Sequence, residues 1–274
     1  MKYYLYNSLA NNGIRPAVKE GVTLTDAVGL DYVSFLNGLA PEDEVVLIGG
    51  DGTLNYFVNA VKGTKIRNKI YLLGSGTGND FLADIGKAPG EEVPVNEYLT
   101  NLPTVYVKGE EKLFLNNMGF GIDGYCCEVA DEIKKTAPQK EINYAGIAIK
   151  GLLFHFRPCH ATVTVDGTVH EFDDVWIAPT MKGRYYGGGM NMAPEQDRAK
   201  DRLTVVVYHC RSKIKALIAF PSIFKGEHVK KTDMVSVFTG NDISVRFSRP
   251  CAAQIDGETV LDVTEYRAVL EKIE

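Results

Sequence analysis

Two glycine-rich turns in this 274-residue chain each carry an acid at the point where a helical stretch begins. The first lies in VVLIGGDGTLNYFVNAV (45–61), with Asp51 inside the turn. The second lies in IYLLGSGTGNDFLADIG (70–86), where Asn79 and Asp80 follow Gly74, Gly76 and Gly78. Unpaired N–H groups and the macrodipole make a helix N-terminus attractive to phosphate. A bare carboxylate beside it repels the same phosphate. The conflict disappears if a magnesium ion arrives with the phosphate, since carboxylates hold the metal while glycine backbone approaches the anion. The chemistry suggested by these residues is the handling of a polyphosphate.

Each turn needs a strand before it and a helix after it. Val45 to Ile48 are apolar in succession, which suits a strand buried on both faces. Leu54, Phe57, Val58 and Val61 follow at helical spacing. KYYLYN and KIYLLG read as further strands, and TLTDAVGLDYVSFLNGL reads as a helix. LNYFVNAVKG and NDFLADIG read as helices closed by Gly63 and Gly86. Such alternation predicts a parallel, helix-covered sheet, with both acids at neighbouring strand ends where open α/β sheets take ligands.

After about Leu102 the pattern changes to short strands separated by turn residues, as in ATVTVDGTVHEF, LTVVVYHC and DISVRFS. Asp166-Gly167 and Asp256-Gly257 are hairpin signals. One helix (144–156), stopped by Pro158, interrupts the run. The expected fold is an α/β N-terminal domain with a parallel sheet over 1–98, and a second, antiparallel β-sandwich-like domain over 99–262.

Bulk properties narrow the classes further. With a net charge of −5 and no long basic block, a nucleic-acid partner is not expected. The opening MKYYLYNSLANNG lacks the apolar core of a signal peptide. YAGIAIKGLLFHF is broken by Lys150 and His155 and falls short of the ~20 residues that cross a bilayer. A cytoplasmic protein with at most peripheral membrane contact is expected. Five cysteines without C-x-x-C spacing suggest reduced thiols rather than disulfides or zinc. No Lys-Ser or Lys-Thr closes either turn, so a Walker A loop is excluded, and Asn79 stands where a dinucleotide fingerprint needs its third glycine.

GGDGTLN (49–55) together with GTGNDF (76–81) resembles the catalytic domain shared by diacylglycerol kinases, sphingosine kinases and bacterial lipid kinases. LFLNNMGFGIDG, FRPCHATVTVDG, YYGGGMNMAP and IDGE (255–258) resemble later stretches of that family, in the family's order. The resemblance implies an NAD kinase/diacylglycerol kinase-like fold in which the final strand, 263–274, returns to the first domain. It also implies magnesium-dependent transfer of the ATP γ-phosphoryl group to a lipid hydroxyl, diacylglycerol-like, at the inner membrane face. Carried over by residue, Gly49, Gly50, Gly52 and Thr53 cradle the phosphates, with Asn55 beside them. Gly76, Thr77, Gly78 and Asn79 complete the nucleotide loop, and Asn7 points toward it from the end of the first strand. Asp51 and Asp80 serve the magnesium-nucleotide and the reacting centre, and Glu258 is the general base. For bacterial members the resemblance adds a structural magnesium, here at Asp201 with Asp197 compensating. Lys200 stands where a second acid is common in that segment, and Arg202 replaces the usual glycine.

Two other readings compete. NAD kinase also uses a Gly-Gly-Asp-Gly turn, although GTGND and IDGE suit lipid kinases better. A catalytically inactive nucleotide- or lipid-binding module would explain the altered N-terminal loop YNSLANNG. The motifs specify neither the lipid nor an oligomeric state.

Overall fold

Val45, Val46 and Leu47 are fully buried, as their unbroken apolar run requires of a central parallel strand. The computed structural model describes residues 1–8, 22–75, 78–137 and 142–271, in two units, Met1–Leu102 and Pro103–Glu274. The first unit runs β1 (Lys2–Tyr6), β2 (Thr23–Asp26), α1 (Tyr32–Asn37), β3 (Glu44–Gly49), α2 (Asp51–Ala60), β4 (Lys69–Gly74), α3 (Asp80–Asp84) and β5 (Glu92–Pro94). Its sheet has the order β2-β1-β3-β4-β5, parallel except for the last pair. The register sets Gly49 opposite Gly74, so the two glycine turns leave the sheet level with each other.

The long helix expected over 23–39 is corrected here. Thr23–Asp26 is a strand paired with β1, and helix begins only at Tyr32, where Asp31 accepts the Ser34 N–H. Two β-branched threonines favour the strand, and Gly29 at φ +73° turns the chain between the elements. The first unit also runs past residue 98. Asn96 accepts the Ile70 N–H and donates to the Asn68 carbonyl, and the Tyr98 ring packs edge-on to Phe81.

The second unit runs β6 (Thr104–Val107), β7 (Glu110–Leu113), β8 (Asn117–Phe120), α4 (Ile122–Thr136) and α5 (Tyr144–Lys150), which continues into a π-helical turn (Gly151–His155). There follow β9 (Cys159–Val165), β10 (Thr168–Ile177), β11 (Thr180–Met181), the small pair β12 (Tyr185–Tyr186) and β13 (Met190–Asn191), and β14 (Leu203–His209). Then come α6 (Lys213–Ala219), β15 (Val235–Gly240), β16 (Asp242–Ile255) and β17 (Glu258–Val269). The main sheet is antiparallel in the order β7-β6-β17-β16-β8-β11-β14-β10-β9, and β9 pairs back onto β16. Inside it Phe120 stacks on Phe247 with ring centres 4.0 Å apart, and the buried Tyr266 hydroxyl donates to the Ala178 carbonyl.

Two corrections concern this unit. The last strand does not return to the first sheet: residues up to Val269 pair with β16 and β6. Val263, Tyr266 and Ala268 are buried in the second unit's core, which fixes the strand there. Helices α4 and α6 were not expected. In α4 the buried Ile122, Cys126 and Ala130 recur every four residues, beneath a glycine-rich start that reads as loop. In α6 the Ser212 side chain caps a helix of only seven residues.

No helix among the described residues is long and apolar enough to cross a membrane. All five cysteines are free thiols. Burial pushes Cys127 and Cys251 each up to about 12. Reagents attack the thiolate. At pH 8 these two should therefore label at least ~100-fold more slowly than an unhindered thiol, and at ordinary rates after denaturation; mass spectrometry after timed alkylation checks this.

His228 gives the clearest pH dependence. It is fully buried, with Nε2 donating to the Met192 carbonyl at 3.0 Å, and burial pushes its pKa down to about 4. The unfolded imidazole binds a proton near pH 6.5 and the folded one does not, so stability present above pH 6.5 is lost as pH falls toward 4. Asp123 moves the other way, because burial raises its carboxyl to about 6 and acidification relieves it. Urea midpoints at pH 7.5 and 4.5 separate the two groups. His228→Gln should lose up to about 3 kcal/mol less than the parent protein between those pH values. Equal losses would contradict the assignment.

Candidate functional site

The two turns of the first unit are linked by one side chain. Asp51, the first residue of α2, accepts the Asp80 N–H on Oδ2 at 2.9 Å and the Phe81 N–H on Oδ1 at 3.0 Å. The residue preceding α3, Asn79, makes no side-chain capping bond, so the cap of α3 comes from the neighbouring turn. Backbone bonds reinforce the link. The Asp51 N–H donates to the Gly78 carbonyl, and the Ser75 N–H to the Gly49 carbonyl. Asp51 thus has a structural reason to interrupt a glycine turn, separate from any metal.

The glycines at the strand ends are sterically required. A Cβ on Gly49 would overlap the Thr53 side chain, and one on Gly74 would lie 2.5 Å from Leu82 Cδ1 and 3.2 Å from Pro89 Cα. Gly52 is exposed and Gly50, Asp51, Thr53, Gly78 and Asn79 are half-buried, so the rim of the two turns faces outward. Asp80 and Asn55 are buried beneath it, and Asn55 accepts from the Asn59 side-chain amide. Asn7 is exposed just beyond β1. Gly76 and Thr77 lie outside the described residues.

Magnesium keeps several ligands from water and phosphate and needs only one or two carboxylates from protein. Each Asp51 oxygen accepts a backbone N–H, and the carboxylate stays at the half-buried rim of the turns. No group of three or more His, Cys, Asp or Glu able to hold a metal occurs among the described residues. This donor set suits a metal that arrives with its own phosphate ligands, Asp51 and Asp80 being the side chains that would hold it.

In the second unit the IDGE turn contains two acids with different surroundings. Asp256, at φ +47°, accepts the N–H groups of Leu115, Asn116 and Asn117 at 2.5, 2.8 and 2.9 Å. It locks the start of β8 to the hairpin. Glu258, which opens β17, is half-exposed and lies 3.7 Å from the Lys112 ammonium, an exposed pair that does little to fix it. Behind the turn, Gln254 donates to Asn117 Oδ1 at 2.9 Å and to the buried Asp123 at 3.3 Å, and accepts the Gly257 N–H. Asp123, within LFLNNMGFGIDG, is a buried acid that the family resemblance leaves without a role. An acid inside an otherwise apolar glycine stretch was the signal that could have singled it out.

The segment expected to hold a structural magnesium is arranged differently. Asp197 caps the Ala199 N–H and lies 3.6 Å from the Lys200 ammonium. The buried Lys182 ammonium donates to the Lys200 carbonyl at 3.2 Å, and the Asn241 amide donates to the Asp201 carbonyl. Arg198 donates to the Leu115 carbonyl and to Asn116 Oδ1. Burial, and then the Arg198 charge, push Lys182 down to about 8. Asp201 and Asp197 also act on Lys182, so these acids stand in a balanced cluster with Lys182, Arg198 and Lys200.

A parallel sheet with two level glycine turns, joined in sequence to an antiparallel β unit, is the architecture of the NAD kinase/diacylglycerol kinase fold. The comparisons agree. Residues 31–102 match the diacylglycerol kinase catalytic domain, and residues 116–270 match the YegS C-terminal NAD kinase beta sandwich-like domain. The chain belongs to this bacterial diacylglycerol kinase and lipid kinase family. It is 28% identical over 249 residues to a diacylglycerol kinase of Mycobacterium tuberculosis, covering 86% of this chain and 79% of that protein. Its fold is similar to the crystal structure of a diacylglycerol kinase from Bacillus anthracis, with a TM-score of 0.65 at 17% identity, covering 99% and 94% of the two chains.

Proposed function

We propose that the protein transfers the γ-phosphoryl group of ATP, in the presence of magnesium, to the hydroxyl of a diacylglycerol-like lipid at the inner face of the membrane. The observation that carries this reading is the level pair of strand ends, β3 and β4, with their turns tied together by Asp51. A polyphosphate lying over this rim meets glycine backbone and the N-terminal turn of α2, both of which favour an anion. Gly49, Gly50, Gly52 and Thr53 cradle it, with Asn55, Gly76, Thr77, Gly78, Asn79 and Asn7 completing the nucleotide contacts. Magnesium supplies neutralisation of the transferring phosphoryl charge. Asp51 and Asp80 orient that phosphate, and Glu258 accepts the proton of the attacking hydroxyl on its carboxylate. The name of the mycobacterial relative supports a diacylglycerol-like acceptor.

The test is a transfer assay with purified protein, magnesium and labelled ATP. Mixed micelles would carry, in separate reactions, diacylglycerol, a sphingoid base, phosphatidylglycerol and a polyprenol, with NAD as a non-lipid acceptor. Label in diacylglycerol is the expected result. Label only in NADP, or in no acceptor, would overturn the reading.

A further inference from the structure

Tyr56 is the only exposed aromatic side chain among the described residues of the first unit, at 54%, although its neighbour Phe57 is fully buried. A lone exposed ring is ordinary on a protein surface, but the position of this one is not. Tyr56 lies four residues after Gly52 in α2, so the two share the solvent face of the helix, one turn apart. Helical side chains lean toward the N-terminal end of their helix, which directs the Tyr56 ring toward the glycine turn. Its packing agrees. The ring meets Tyr32 edge-on with centres 6.0 Å apart, and Tyr32 is buried in the first turn of α1, the helix that follows parallel strand β2.

Gly52 points the same way. Gly49 and Gly74 are demanded by their neighbours, but a Cβ on Gly52 would meet nothing within 4 Å, and its φ lies outside the left-handed region. Glycine also weakens a helix relative to alanine. Neither packing nor backbone geometry therefore accounts for it, whereas the missing side chain leaves the surface between the turn and Tyr56 open.

We propose that this open step is the base subsite of the nucleotide, with the purine ring stacked on Tyr56 while its phosphates lie over the turn. This subsite rests on the reading of the two turns as a nucleotide site. The turn offers glycine backbone and helix N–H groups, which recognise phosphate and not base. Tyr56 supplies the π-face that a base stacks on, and Tyr32, edge-on behind it, holds that face in place. Stacking reads the face of a base and not its edge, so Tyr56 separates a nucleotide from a bare polyphosphate without separating adenine from guanine. An acyl chain on the same ring would have to share its surface with the charged phosphates one turn away, which disfavours it.

Isothermal titration of the full chain with excess magnesium and no lipid compares ATP, GTP and inorganic tripolyphosphate. In Tyr56→Ala the affinities for ATP and GTP should each fall at least ~10-fold, while that for tripolyphosphate stays within about twofold of the parent value. Tyr56→Phe keeps the ring and should bind ATP within about threefold of the parent. If the alanine variant shows no cooperative melt, Tyr56→Leu, which keeps apolar cover over Tyr32, should show the same split between ATP and tripolyphosphate. Equal ATP affinity in the parent and the alanine variant would overturn the inference. So would a parallel loss of ATP and tripolyphosphate in a folded variant, or no ATP binding by the parent. Unchanged ATP affinity with a raised KM for diacylglycerol in Tyr56→Ala would give the ring to the lipid and overturn it too. The kinase reading fails separately, when the parent binds ATP yet labels no acceptor.

Discussion

Asp51→Asn should lower phosphoryl transfer by about a thousandfold while leaving the protein folded. The size follows from removing one preorganised charged group from a transition state that is stabilised mainly by electrostatics. The structural cost can be stated separately. Asparagine keeps an oxygen for the Phe81 N–H but turns an amide donor toward the Asp80 N–H, losing one charge-assisted bond. That loss is worth roughly 1.5–3 kcal/mol, a fall in melting temperature of about 7–14 °C for a unit of this size. Assays at 20 °C with calorimetric melts of the same sample read both effects. If activity stays within tenfold of the parent while the melting temperature falls, Asp51 is a cap of α3 and nothing more.

The second large effect separates two acids that are neighbours in the IDGE turn. Asp256→Ala deprives three N–H groups of their acceptor at the start of β8, and should destabilise the second unit by about 3–5 kcal/mol. The corresponding drop in melting temperature is roughly 10 °C or more. Glu258→Gln should leave the melting temperature within about 1 °C, because the side chain is half-exposed and its Lys112 pair is weak. As a lost general base it should reduce kcat by about 10²–10⁴-fold. Retained kcat in Glu258→Gln would remove that residue from the mechanism, whatever the fate of Asp256.

Much of this architecture can be read from the chain because local and tertiary demands coincide. The run Val45 to Ile48, the glycines at 49 and 74 and the helix after Asp51 all follow from burial and steric closeness, which composition and spacing report directly. The Asp256-Gly257 hairpin is legible for the same reason, since both residues take positive φ. What stayed hidden depends on partners far away in sequence. Asp51 caps a helix whose amides lie 29 and 30 residues later, and no local pattern marks that bond. The strand Thr23–Asp26 was hidden by helical spacing in the residues after it, and the placing of 263–274 in the first domain came from the resemblance, whereas the partners and buried face of β17 lie in the second. Lys182 reaches the segment of Asp197 and Asp201 from a position that spacing alone does not connect.

The central claim is that a divalent cation reconciles Asp51 with a bound polyphosphate. Isothermal titration of ATP into the protein, with excess magnesium and then with excess EDTA, tests it most directly. Binding with magnesium, a loss of at least ~30-fold in affinity with EDTA, and a much smaller magnesium effect in Asp51→Asn are the results expected. Equal affinity for ATP with and without the metal in the parent protein would contradict the claim.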